Sequence, residues 1–240
     1  MVSGPAGIGK TRLIGEVIKS LPKELSESCI YLPAAGGLRQ MLGGLLRKLL
    51  VTGDPTLLRQ VRADGFRRTD FKAWLNAQSS SHLKGTLYRA AEKRTYWIFL
   101  DLLSAITPPA AKVITELVRM RDTPVYLLTR ELKGQTAEQL LKLYWRDEQR
   151  LSLGPLPETA ARSLVESVSK SFALGQLELQ TFRREVLRRS GRIPGAIVQM
   201  CALAAEPRYQ AGLRVETGLL HVDYLLRGRE KLPRLEKVTE

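Results

Sequence analysis

The chain is poor in the residues that most small chemistries need. Its 240 residues include two cysteines, Cys29 and Cys201, and two histidines, His82 and His221. The cysteines are far apart, which excludes a disulfide framework, a thiol redox motif and a zinc spacing. Both are expected to be buried small hydrophobes. The histidines stand alone in sequence, and no Ser/His/Asp or Cys/His set accompanies them. No apolar run is long enough to cross a bilayer, so no membrane contact is expected. Only three residues precede Gly4, so no leader peptide is expected and a reducing cytoplasm is the simplest setting. Internal repeats and low-complexity stretches are missing too. Acid is short: 24 Asp and Glu face 38 Lys and Arg, for a net charge of +14. Such a surface attracts polyanions, nucleic acid first and an acidic protein second.

What is present is a globular pattern, with 44% hydrophobic residues. From Lys10, Leu13, Ile14, Val17 and Ile18 recur at helical spacing until Pro22. Cys29-Ile30-Tyr31-Leu32 reads as a strand. Residues 38–93 read as several helices. One carries the stripe Leu38, Met41, Leu42, Leu45, Leu46 and Leu49, and Thr52-Gly53-Asp54-Pro55 supplies a break, an N-cap and a first-turn proline. Tyr96 to Leu100 is nearly all apolar and reads as a central parallel strand ending in Asp101. A helix from Pro108 to about Arg121 follows, then a strand ending in Thr129-Arg130. A helix over 135–146 and a short strand at Leu151-Ser152-Leu153 complete the alternation.

This order predicts a three-layer α/β/α fold around a parallel sheet. After Gly154-Pro155 only helices are predicted: 157–172, 176–189, 194–205 and 208–226. The expected organisation is an α/β core over 1–155, an all-helical lid over 156–226 and a charged tail over 227–240.

Gly4-Pro5-Ala6-Gly7-Ile8-Gly9-Lys10-Thr11 satisfies the P-loop spacing in full. Its glycines let successive N–H groups turn inward around an anion, and the following helix adds its positive end. Lys10 can reach the β- and γ-phosphates of ATP, and the Thr11 hydroxyl can bind Mg2+. The motif should follow a buried strand. Only Met1-Val2-Ser3 is available, so that strand is expected to be largely missing, leaving a gap beside Ile98 and Leu100.

Asp101 at a strand end can serve the Mg2+ shell opposite Thr11, or simply begin a turn. The next residue is Leu102, where a water-positioning glutamate would be useful, and Ser104 is a poor base. Hydrolysis is therefore expected to be slow. Thr129 can orient water or the γ-phosphate. Arg130 can pair with phosphate oxygens, or be a surface arginine at a strand-to-loop junction.

The P-loop, the strand with Asp101, the strand ending in Thr129-Arg130 and the helical end together resemble a P-loop NTPase of the AAA+ type. The nearest likeness is to the signal-transduction ATPases called STAND, and to origin-recognition and transposition-regulator ATPases. The resemblance implies ATP and Mg2+ as cofactors and Arg130 as a γ-phosphate sensor. Ser190-Gly191-Arg192-Ile193-Pro194-Gly195 is similar to the lid's Gly-x-Pro motif, with one extra residue, and implies Pro194 near adenine. It reads equally as a helix cap followed by a proline-started helix. No arginine finger is evident, and Arg121 is a candidate for acting in trans on a neighbouring subunit.

Basic residues in the lid, Arg183, Arg184, Arg188, Arg189 and Arg192, form a candidate nucleic-acid face or a solvated helix face, and Arg67-Arg68 with the tail residues Arg227, Arg229, Lys231 and Arg234 add more. Two readings follow. One is a nucleotide-dependent regulatory ATPase with slow hydrolysis, working with nucleic acid, a protein partner or further copies of itself. The other is a non-hydrolysing ATP-binding scaffold. A small P-loop kinase ranks below both, because no acceptor-binding motif is found.

Overall fold

The computed structural model describes residues 1–33, 37–101, 106–120, 122–129 and 135–227. The chain divides into two compact units. One is Met1–Gly4 with Lys10–Leu153, and the other is Pro5–Gly9 with Gly154–Glu240.

The first unit is built on a five-stranded sheet. Its strands are β1 (Val2–Ser3), β2 (Cys29–Leu32), β3 (Trp97–Leu100), β4 (Val125–Thr129) and β5 (Leu151–Ser152), in the order β2-β3-β4-β1-β5. Every pairing is parallel. Parallel neighbours need crossovers, and helices supply them: α1 (Lys10–Ser20), α2 (Lys23–Ser26), α3 (Leu38–Val51), α4 (Pro55–Ala63), α5 (Phe71–Ala77), α6 (Ser80–Lys93), α7 (Pro108–Arg119) and α8 (Gln135–Leu143).

Two residues make a strand of β1 because it is bonded on both sides. Val2 lies opposite Leu128 and Leu151, and Leu151 and Leu153 donate to the Met1 and Ser3 carbonyls at 2.8 and 2.9 Å. The gap expected beside Ile98 and Leu100 does not exist. Those residues pair with β2 and β4, and β1 lies one strand further on. The sheet is covered on both faces, which is why β3 and β4 are nearly all apolar. One face packs Ile30, Ile98, Leu100 and Leu127 with the stripe of α3. The other packs Val2, Ile14, Phe99 and Leu128.

The four helices α3 to α6 are anchored by two carboxylates, Asp54 buried and Asp64 partly buried. Asp54 caps α4, accepting from the Leu57 amide at 2.7 Å, and also takes the Tyr96 hydroxyl at 2.5 Å. Asp64 accepts from Trp74 Nε1 at 2.7 Å and Gln60 Nε2 at 2.8 Å, and lies 2.8 Å from His82 Nε2. His82 therefore does not stand alone. Its partner is 18 positions away in sequence, and only the packing of α4 against α6 joins them.

The second unit packs α9 (Glu158–Ser171), α10 (Leu179–Arg189), α11 (Pro194–Ala204) and α12 (Thr217–Leu226) around Val165, Phe182, Val186, Ile197 and Met200. The single helix expected over 208–226 is not formed. A two-stranded antiparallel hairpin, β6 (Gln210–Ala211) and β7 (Arg214–Val215), comes first, and α12 starts only at Thr217. The hairpin turns at Gly212, whose φ of +60° is incompatible with a helix. Cys201 is buried, and burial pushes its thiol up to about 12. Cys29 is only partly buried, contrary to expectation, because it begins a strand near the rim of the sheet.

Burial alone would raise the Asp64 carboxyl. The hydrogen bonds from Trp74, then Gln60 and His82, outweigh it and hold the group below its ordinary value. A depressed carboxyl stabilises the fold above its unfolded pKa of about 3.9. That contribution is lost as pH falls through the folded value. Asp64→Ala is expected to cost about 1–3 kcal/mol at neutral pH. It should also flatten the acid limb of stability below about pH 4 in urea melts, and an unchanged acid limb would contradict the network.

Candidate functional site

The carboxyl ends of the central strands meet at one edge, where open α/β sheets bind ligands. Ser3 ends β1 directly before the glycine loop and lies opposite Thr129 at the end of β4. Asp101 follows β3 and is held to β2 by its amide, which donates to the Leu32 carbonyl at 2.9 Å. Thr11 is in the first turn of α1. Sequence positions 3, 11, 101 and 129 thus converge because one sheet edge collects them.

Thr11, Tyr31 and Asp101 form a connected polar set. Thr11 Oγ1 donates to Asp101 Oδ2 at 2.5 Å, and the Tyr31 hydroxyl donates to the same oxygen at 2.6 Å. Lys10 Nζ donates to the Gly4 carbonyl at 2.7 Å. Lys10, Asp101 and Thr129 are all buried, Asp101 to 1% exposure. A carboxylate this buried survives only with donors on it. The Tyr31 phenol is pushed well above its usual pKa, by burial first and then by the hydrogen bond to Asp101 and its charge. It is therefore a protonated donor across the physiological range.

The glycine loop has the backbone its residues imply. Gly7 and Gly9 have φ of +77° and +103°, conformations that residues with a Cβ rarely adopt. Gly7 is also tied to the start of α11: its carbonyl accepts from the Gly195 amide at 2.9 Å. A Cβ on Gly195 would come within 2.9 Å of both Gly7 Cα and O. Pro194 occupies the first turn of α11 beside this contact, and Gly191 and Arg192 before it have φ of +58° and +59°. The cap-and-proline reading of this segment is therefore what the backbone adopts.

Chemically the set combines an anion site with hard oxygen ligands. The α1 N-terminus and Lys10 suit phosphate. A hydroxyl and a carboxylate in contact suit Mg2+, which is usually held by one or two protein oxygens and completed by phosphates. Among the described residues no group of three or more His, Cys, Asp or Glu offers a self-sufficient metal cage.

Arg130, Leu102, Ser104 and Arg121, named from sequence, lie outside the described residues. Tyr31 was missed. In sequence it is one more apolar-looking member of a short strand. Its register opposite Phe99 places it on the same face as Asp101, two residues on. An aromatic hydroxyl near the end of the strand next to an acid-ended strand is the signal that would have found it.

Gly195→Ala is expected to displace the glycine loop while α9 to α12 stay folded. Affinity for a polyphosphate should fall at least tenfold, about 1.4 kcal/mol, with the helical circular dichroism retained. Full affinity in that variant would show that the Gly7–Gly195 contact does not shape the loop.

Comparison with known proteins agrees with this geometry. The AAA ATPase domain family matches residues 1–130, more than half of the chain and the whole of the P-loop, Asp101 and Thr129-Arg130 region. No curated protein matches the chain significantly. Among the described residues no helix is long and apolar enough to cross a membrane. With a P-loop on a parallel sheet, a hydroxyl–carboxylate pair at its carboxyl edge and a family match over that span, the chain belongs to the AAA ATPase domain family and is a nucleotide-binding ATPase.

Proposed function

We propose that the protein is a STAND-like regulatory ATPase, working in the manner of origin-recognition and transposition-regulator ATPases. It binds ATP with Mg2+, hydrolyses it slowly and changes state with the nucleotide. The observation that carries this reading is the shared hydrogen bonding of Thr11, the residue after Lys10, and Tyr31 to the buried Asp101 carboxylate.

In this reading Lys10 leaves the Gly4 carbonyl for the β- and γ-phosphates, and residues 4–9 cradle them through their amides. Thr11 and Asp101 hold Mg2+, which supplies charge neutralisation at the phosphates. Thr11 can ligate through its oxygen while its hydroxyl hydrogen still points to Asp101. Tyr31 keeps that carboxylate oriented. Thr129 orients water or the γ-phosphate, Arg130 senses the γ-phosphate, and Pro194 borders adenine. Gly7 is bonded to Gly195, so a rearrangement of the loop on gaining or losing phosphate is felt directly by α11. That contact supports a switch.

Functionally the chain is taken as a nucleotide core over 1–155, a lid over 156–226 and a tail over 227–240. It acts in the cytoplasm, in association with nucleic acid and with a protein partner or further copies. Leu102 at the glutamate position favours a second reading, a non-hydrolysing scaffold. Steady-state phosphate release separates the two.

Lys10→Ala is expected to lose ATP affinity by at least tenfold, about 1.4 kcal/mol. Unchanged affinity in calorimetry would reject the reading. Tyr31→Phe is expected to bind metal-free ATP normally but to need several-fold more Mg2+ for the full effect of the metal. An Mg2+ titration matching the wild type would remove Tyr31 from the site.

A further inference from the structure

The net charge of +14 is not spread evenly, and the helical lid is not where it gathers. Residues 154–227 hold ten basic and seven acidic side chains. Seven of those ten cations are already in ion pairs, among them Arg162 with Glu158, Arg183 with Glu166, and both Arg188 and Arg189 with Glu185. Residues 38–96, the segment of α3 to α6, hold twelve basic and four acidic side chains. Two of the four acids are engaged by partners within the fold, Asp54 as a buried cap and the partly buried Asp64 by its three partners. Of the twelve cations, Arg39 is spent on the carbonyls of Leu75, Asn76 and Gln78, and Lys84 lies 3.9 Å from Glu116. The other ten are exposed, and among the described residues none has a carboxylate within ion-pair distance.

Six of them run together. Arg59 and Arg62 are three apart on the outer side of α4, opposite its buried Leu57 and Val61. Arg67 and Arg68 follow in the connection to α5. Arg68 Nη2 donates to the Leu50 carbonyl at 3.3 Å, which brings this connection to the end of α3, where Arg47 and Lys48 are exposed. So many like charges with no internal partner repel one another unless a polyanion lies on them.

We propose that this face, α4 with the adjoining ends of α3 and α5, is a docking surface for the phosphate backbone of double-stranded nucleic acid. The inference rests on the nucleic-acid association proposed above and gives it a location other than the lid. A protein interface would need apolar anchors at its centre. Among residues 38–96 the one exposed large hydrophobic is Val51. Single strands are held by exposed aromatics that stack on bases. Here Phe71 and Trp74 are buried, so the surface reads backbone charge and not bases.

The test is fluorescence anisotropy with a mixed-sequence duplex across a range of salt. It compares the wild type, the triple variant Arg59→Gln/Arg62→Gln/Arg67→Gln, its Lys counterpart, and the lid variant Lys170→Gln/Arg184→Gln. The Gln triple should lose at least tenfold in affinity. Its log K against log salt slope should shrink by about 0.9 for each phosphate contact removed. The Lys triple should keep the slope, and the lid variant should bind as the wild type does. Melting curves confirm that each variant is folded. If the wild type binds duplex and the Gln triple binds equally, or if the lid variant takes the loss instead, the surface is wrong while association stands. If the wild type binds no duplex at any salt, association itself fails, and binding of polyglutamate in its place would overturn the choice of partner.

Discussion

The site depends on how a buried carboxylate is supplied with hydrogen-bond donors. Asp101 is almost completely enclosed, and burial of an unpartnered anion would cost several kcal/mol. Two hydroxyl donors, from the first turn of α1 and from β2, converge on one of its oxygens. Satisfying that carboxylate therefore fixes α1 against β3 and β2 against β3, and in the same act it puts Thr11 and Asp101 in contact. The stability requirement and, in the proposed function, the ligand requirement fall on the same three side chains. No residue of the set is free to change for one purpose without affecting the other.

The glycine loop obeys a second constraint, that of close approach. Gly7 and Gly195 meet backbone to backbone, at a distance that leaves no space for a Cβ. A loop built to fit around phosphates is thereby built to fit against α11 as well. The positive φ values at Gly7 and Gly9 belong to the anion cradle. The absence of a side chain at Gly195 belongs to the contact.

Charge is organised on a larger scale. The helical unit pairs most of its arginines with its own glutamates, a pattern that suits a solvated surface. The α3 to α6 segment engages half its acids, in one buried cap and one partly buried network, and leaves most of its cations outside. Asp54 and Asp64 serve folding by anchoring these helices, and in doing so they leave the surface without counterions. The basic face is therefore partly a consequence of how the helices are held.

The sequence alone determined the local and the periodic. The P-loop spacing, the strand ending in Asp101, the Asp54 cap with its proline, the alternation that makes a parallel sheet and the cap-and-proline start of α11 are all written in neighbouring residues. Short-range sterics and hydrophobic period decide them. Only the tertiary structure decided what lies beside what. It put β1 between β4 and β5 and not beside β3. It gave His82 an acid from another helix, and it showed Tyr31 to be a donor to Asp101. It also broke the last helix with a hairpin at Gly212, and it paired most of the lid's arginines with glutamates while leaving ten cations of residues 38–96 without a carboxylate partner among the described residues. Each of these turns on strand order, register or ion pairing across tens of residues, and a linear pattern carries no distance information at that range.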